Sequence, residues 1–232
     1  MRSASEVAHV DFDFIVLATK LSNHPKDPLI ETLRPAVKDT TTLVSVQNGI
    51  TSEIALRHAF DNAIFSSTCY INCTQSQPGF VEQVSNVRPH AFYVGINRPG
   101  RHSDGKRELE TLVGLDDAFA QVDDAHGERW RKMIFNTAWS LSTSLLDKDT
   151  HGVLQDKNGP QLVFGLAQEA YRIGRSLGID LDANLPMATL DSPRNAPAIV
   201  PSMLQDIRRG KPIEVEALCG KYCGPTYPQA SC

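Results

Sequence analysis

Residues 14–46 read as strand, helix, strand, and that order constrains the fold more than any other feature of the chain. Phe14-Ile15-Val16-Leu17-Ala18 is a short apolar run ending in Thr19-Lys20. Leu43-Val44-Ser45-Val46 is a second, ending in Gln47-Asn48-Gly49. Between them Leu29, Ile30, Leu33 and Val37 recur at helical spacing, with Pro35 near the helix end. Two strands joined through a helix run parallel, because antiparallel neighbours need only a tight turn. The first part of the chain is therefore expected to be α/β, with a doubly wound parallel sheet.

The pattern continues with a helix over Thr51–Phe60 and a strand over Ala63–Asn72. Residues 80–96 then alternate, with Phe92, Val94 and Ile96 on one face of an antiparallel strand. Gly100 to Gly105 is a polar turn, Lys106–Leu115 a helix and Ala118–Val122 a closing strand. After Asp123-Asp124 long helical patterns replace strands. One runs from about Glu128 to Leu146, one from Pro160 to Leu177 with Gly178 as its stop, and a third begins near Pro201. These changes divide the chain into an α/β part, 1–124, an all-helical part, 125–223, and an irregular tail, 224–232.

Composition narrows the function classes. Hydrophobic and charged contents are those of ordinary globular proteins, and a formal net charge of -4 offers nothing to a polyanion. No apolar run approaches the roughly 20 residues that span a bilayer, and Met1–Glu6 has no apolar core of a signal peptide. No nucleic-acid or membrane partner is expected. Cys69, Cys73, Cys219, Cys223 and Cys232 form no C-x-x-C pair and have no neighbouring His ligands, so no metal site is expected. An odd cysteine count without a secretory signal fits reduced thiols in the cytoplasm.

Several polar residues stand where chemistry could occur. Lys20 and Asn48 each end a parallel strand, the edge where ligands bind in open α/β sheets; a surface lysine and an Asn-Gly turn would look the same. Lys132, Asn136 and Ser140 fall at i, i+4 and i+8 of a helix that is otherwise apolar around Met133, Phe135 and Trp139. That stripe either faces solvent or lines a polar pocket. Ser202, after Pro201, could cap a helix beginning at Met203 or hold a ligand, and Glu214, after Pro212, could serve a helix N-terminus or a ligand. Arg208, Arg209 and Lys211 between them read as a solvated helix end.

Four pieces, I-V-L-A-T-K at 15–20, Q-N-G-I at 47–50, W-R-K-M-I-F-N at 130–136 and S-M-L-Q-D-I-R-R-G-K-P-I-E at 202–214, resemble the ketopantoate reductase (2-dehydropantoate 2-reductase) family. They keep that family's order over most of residues 12–220. The resemblance implies a Rossmann-like domain followed by a helical domain, and an NADP(H)-dependent oxidoreductase of pantothenate biosynthesis that reduces a small 2-oxo acid, possible as a homodimer. It implies that Lys132 donates the proton to the ketone oxygen and, with Asn136, Ser140 and Ser202, holds the substrate. Lys20, Asn48 and, in a looser alignment, Asn72 would contact the cofactor, with Glu214 near its nicotinamide end. Three departures stand out. Ser140 replaces the second asparagine of an N-x-x-x-N pair, and a Pro-rich ending follows Gly220. The chain also begins about two βα units late, roughly 60 residues at about 30 per unit, without the first strand and the G-x-G-x-x-G turn. Weak NADPH binding follows from a missing glycine cradle, and the alternative function is a non-catalytic, truncated remnant or interaction protein.

Overall fold

The computed structural model describes residues 4–20, 29–86 and 88–218. The chain divides into two compact units, Met1–Arg129 and Trp130–Cys232. The first contains strands β1 (Phe14–Leu17), β2 (Thr42–Ser45), β3 (Ile64–Cys69), β4 (Ile71–Gln77), β5 (Phe80–Asn86), β6 (Phe92–Arg98) and β7 (Phe119–Gln121). Helices α1 (Leu29–Leu33), α2 (Ser52–Ala59) and α3 (Lys106–Val113) lie between them.

Five strands form one sheet in the order β1-β2-β3-β6-β7. The pairs β1–β2, β2–β3 and β6–β7 are parallel, and β3–β6 is antiparallel. Because side chains alternate along a strand, each strand feeds two cores. Val44, Phe65 and Val94 face one side, with Leu109 and Leu112 of α3. Leu17, Leu43 and Ile64 face the other, with Leu56 of α2 and Phe60, while Leu29, Ile30 and Leu33 of α1 pack on the same cluster. Full burial of a Leu, Ile or Phe side chain contributes about 1.5–3 kcal/mol, so these two layers fix the sheet between helices on both faces. The unit is Rossmann-like.

The reading of residues 63–96 needs correction. Ala63–Asn72 is not one strand: the chain leaves the main sheet at Tyr70, whose amide donates to the Ala91 carbonyl at 2.7 Å. It then builds a separate two-stranded antiparallel sheet from β4 and β5. The hairpin turns at Pro78-Gly79, where Gly79 has φ +80°, a conformation that glycine adopts without strain. Only β6, with its apolar Phe92, Val94 and Ile96, is the antiparallel strand expected.

The second unit is helical. Helix α4 (Ala125–Leu146) begins in the first unit and supplies the second with Trp130, Met133, Ile134, Ala138 and Trp139, all buried. It is joined by α5 (Thr150–Gln155), α6 (Gly159–Ser176), α7 (Leu185–Asp191), α8 (Ser202–Arg208) and α9 (Val215–Leu218). A Cβ on Gly174 of α6 would lie 2.7 Å from Leu181 Cδ1 and 3.0 Å from Trp130 Cε3, so glycine permits that close packing. Trp139 Nε1 donates to the Thr189 carbonyl at 2.9 Å and ties α7 to α4. Helices α5 and α7, each of one to two turns, were not expected. Asp149 starts α5 by accepting the Gly152 amide at 2.7 Å. The expected tail, with Cys219, Cys223 and Cys232, lies outside the described residues. Among the described residues, no helix is long and apolar enough to cross a membrane, and no cluster of three or more His, Cys, Asp or Glu side chains could hold a metal ion.

Candidate active site

In the first unit the candidate residues sit where parallel strands end. Lys20 is exposed three residues beyond β1, and Asn48 is half-buried three residues beyond β2. The two loops are stitched together by Gln47, whose Nε2 donates to the Thr19 carbonyl at 2.8 Å and to Thr19 Oγ1 at 3.2 Å. The structure thus brings Lys20 and Asn48 onto one strand-end rim. Among the described residues, no group donates a hydrogen bond to Gln47 Oε1, which is buried there. Asn72 does not share this rim as a strand-end residue. It lies within β4, opposite Ser85 of the hairpin.

Behind the rim is a buried polar network that sequence reasoning missed. Glu53 on α2 and Arg129 on α4, each side chain 4% exposed, form an ion pair at 2.6 Å. Ser66 Oγ donates to Glu53 Oε1 at 2.5 Å, and Ser52 Oγ to Oε2 at 2.9 Å. Arg129 Nη1 donates to the carbonyls of Gln47 and Gly49, both at 2.7 Å, and Nη2 to the Ser45 carbonyl at 3.0 Å. His126, one turn earlier on α4, is held below the usual histidine range, chiefly because burial disfavours its cation. The only sequence signal was a charged pair, Glu128-Arg129, ahead of an apolar helix. Such a pair ordinarily reads as a solvated helix start.

In the second unit Lys132, Asn136 and Ser140 occupy successive turns of α4; the first two are half-buried and Ser140 is buried. A half-buried to buried stripe of cation, amide and hydroxyl on an apolar helix excludes the fully solvated face. Ser202 is the first residue of α8, after Pro201, rather than the cap of a helix starting at Met203. Its exposed hydroxyl is therefore not accounted for by capping. Glu214 directly precedes α9, its carbonyl accepting the Leu218 amide at 3.1 Å. Helix α9 in turn meets α4, where Thr137 Oγ1 donates to the Leu218 carbonyl at 3.0 Å. That contact is one residue from Asn136. At the other end of α8, Arg208 pairs with Asp147 at 2.8 Å, so one member of the basic cluster has a definite partner.

A Rossmann-like sheet with polar groups at its strand ends, followed by a helical unit with a buried polar stripe, defines a class of two-part α/β proteins. Residues 2–98 match the model of "Ketopantoate reductase PanE/ApbA", and residues 124–224 match that of "Ketopantoate reductase PanE/ApbA C terminal". Together the two matches take in most of the chain, which belongs to the ketopantoate reductase family. A 2-dehydropantoate 2-reductase of Mesorhizobium japonicum is 25% identical over 227 residues, 89% of this chain and 68% of that protein. The fold is shared with 2-dehydropantoate 2-reductase from Geobacter metallireducens, at a TM-score of 0.82 and 20% identity, over 96% of this chain and 72% of that one. It is shared too with D-mandelate dehydrogenase, solved in a ternary structure with NADH and anilino(oxo)acetate, at a TM-score of 0.74 and 21% identity. That match covers 94% of this chain and 71% of the dehydrogenase.

Proposed function

We propose that this chain reduces a small 2-oxo acid of the 2-dehydropantoate type, with NADPH as the reductant and Lys132 as the proton donor. The observation that carries the reading is the α4 stripe, in which a half-buried lysine is followed at one-turn intervals by an amide and a hydroxyl. A half-buried ammonium beside a ketone oxygen polarises the carbonyl and stabilises the developing alkoxide, then delivers its proton. Asn136 and Ser140 supply donors and acceptors for the substrate's carboxylate and hydroxyl, and Ser202 adds an exposed hydroxyl. The match of both parts of the chain to one reductase family supports catalysis over a non-catalytic remnant.

The strand-end rim fits a nicotinamide nucleotide. It offers an exposed cation at Lys20, an amide at Asn48 and an acceptor at Gln47 Oε1 that no group among the described residues satisfies. Lys20 and Asn48 would hold the nucleotide, with Glu214 as a further contact, while Asn72 rests on the family pattern alone. When bound, the nicotinamide supplies the hydride for the ketone carbon. The direct test is loss of NADPH absorbance on adding 2-dehydropantoate, with pyruvate and benzoylformate as competing 2-oxo acids. Consumption dependent on one of them is expected, and none with any of the three would overturn the reading.

A further inference from the structure

We propose that the Glu53–Arg129 ion pair is a positioning device that sets the loop carrying Asn48, and through it the affinity of the strand-end rim for the nicotinamide nucleotide. The inference rests on the functional reading above and adds to it two residues that touch neither substrate nor cofactor. All the groups involved lie in the first unit.

A buried ion pair is a poor way to stabilise a fold. Removing two charges from water costs several kcal/mol per ion, and a well-packed apolar pair of the same volume is often as stable. A pair of this kind calls for another account of its presence, and its hydrogen bonds give one. Arg129 Nη1 reaches two carbonyls, Gln47 and Gly49, at 2.7 Å each. These are the residues on either side of Asn48, and they stand 82 and 80 positions from Arg129 in the chain. One planar nitrogen therefore fixes the backbone before and after a single half-buried side chain. Gly49 has φ +97°, so the turn it makes is one that other residues enter only with strain.

The carboxylate completes the device. Glu53 receives Arg129 and the hydroxyls of Ser66 and Ser52, so both its oxygens are occupied and the guanidinium cannot rotate away from the carbonyls without breaking several charge-assisted bonds. Gln47 continues the tether to the loop after β1 through Thr19. An ammonium could keep the charge of Arg129 but could not present two donors in a fixed plane to two carbonyls and a carboxylate.

The test uses the full chain and fluorescence titration with NADPH, alongside chemical denaturation, on four proteins: the natural chain, Arg129→Lys, Glu53→Gln, and the double variant Glu53→Gln with Arg129→Met. The double variant carries no buried charge, so it is expected to fold with a smaller loss of stability than Glu53→Gln, which strands the guanidinium, yet to bind NADPH at least tenfold more weakly. Arg129→Lys is expected to lose a similar factor in affinity, and in turnover assays to raise KM for NADPH while kcat changes less than threefold. A purely structural pair predicts the opposite: affinity recovers with stability in the double variant. Near-natural affinity in a folded double variant, or in a folded Arg129→Lys, overturns the inference and leaves the reductase reading standing. Absence of NADPH binding by the natural chain overturns both.

Discussion

The strand-end rim and the α4 stripe treat polar side chains in opposite ways. Around the rim most of them are spent on the protein itself: Ser45, Gln47, Ser52, Glu53, Ser66 and Arg129 are buried and bonded to one another or to loop backbone. Along the stripe, Lys132 and Asn136 are half-buried on an apolar helix whose backbone already satisfies its own hydrogen bonds. The sheet end needs a polar scaffold because loops have unpaired carbonyls to satisfy. The helix backbone needs no such scaffold. Polar burial in the first region is architecture; in the second it is the substrate contact proposed for Lys132, Asn136 and Ser140.

That contrast can be broken by substitution. The largest effect is expected at Lys132, where alanine should lower turnover about 10²–10⁴-fold, the usual worth of a general acid, with little change in unfolding free energy. Steady-state kinetics with parallel denaturation curves would check it; turnover equal to that of the natural chain would remove Lys132 from the mechanism. On the rim side the order reverses. Arg129→Leu strands the Glu53 carboxylate in a buried site and should lower unfolding free energy by about 3–5 kcal/mol. A loss under about 1 kcal/mol would mean that the pair is far more solvated than its burial indicates.

A smaller effect is expected from pH. His126 has its pKa below the ordinary value in the folded chain because burial opposes its cation. The unfolded chain then binds the proton more readily, so stability rises with pH in that window. The contribution is complete above about 6.5, the unperturbed histidine value, and is lost as pH falls from there through the lowered folded value. Denaturation midpoints of the natural chain and His126→Asn across pH 5–7 would show it, the variant's midpoint changing less. The smallest effect is expected at Arg208→Ala, since the Asp147 pair is largely exposed. Such pairs contribute about 0–1 kcal/mol, and less at high salt.

The main sheet was legible because its strands carry strong apolar runs: Phe14–Leu17 and Leu43–Val44 cannot be solvated on both faces. The β4–β5 hairpin was not, because Ile71-Asn72-Cys73-Thr74-Gln75-Ser76-Gln77 is mostly polar and carries no run of apolar residues to impose a period. Reading through it as one strand carried Asn72 to a strand end that it does not occupy. Helix α7 was hidden for a different reason: it is seven residues long and held by a backbone carbonyl accepting from Trp139, a bond with no sequence signature. The α4 stripe could be read directly, since helical spacing alone puts Lys132, Asn136 and Ser140 on one line. The Glu53–Arg129 pair could not, because it joins two helices far apart in the chain and each charge by itself looks like an ordinary surface residue.

The central claim is that the polar rim and the polar stripe belong to a nicotinamide-dependent reductase. Fluorescence titration of the natural chain with NADPH tests it most directly, with Asn48→Ala as the companion measurement. Saturable binding that weakens severalfold in the folded Asn48→Ala variant is the predicted result. A flat titration up to about 1 mM, the upper end of the range in which enzymes bind their substrates, would contradict it.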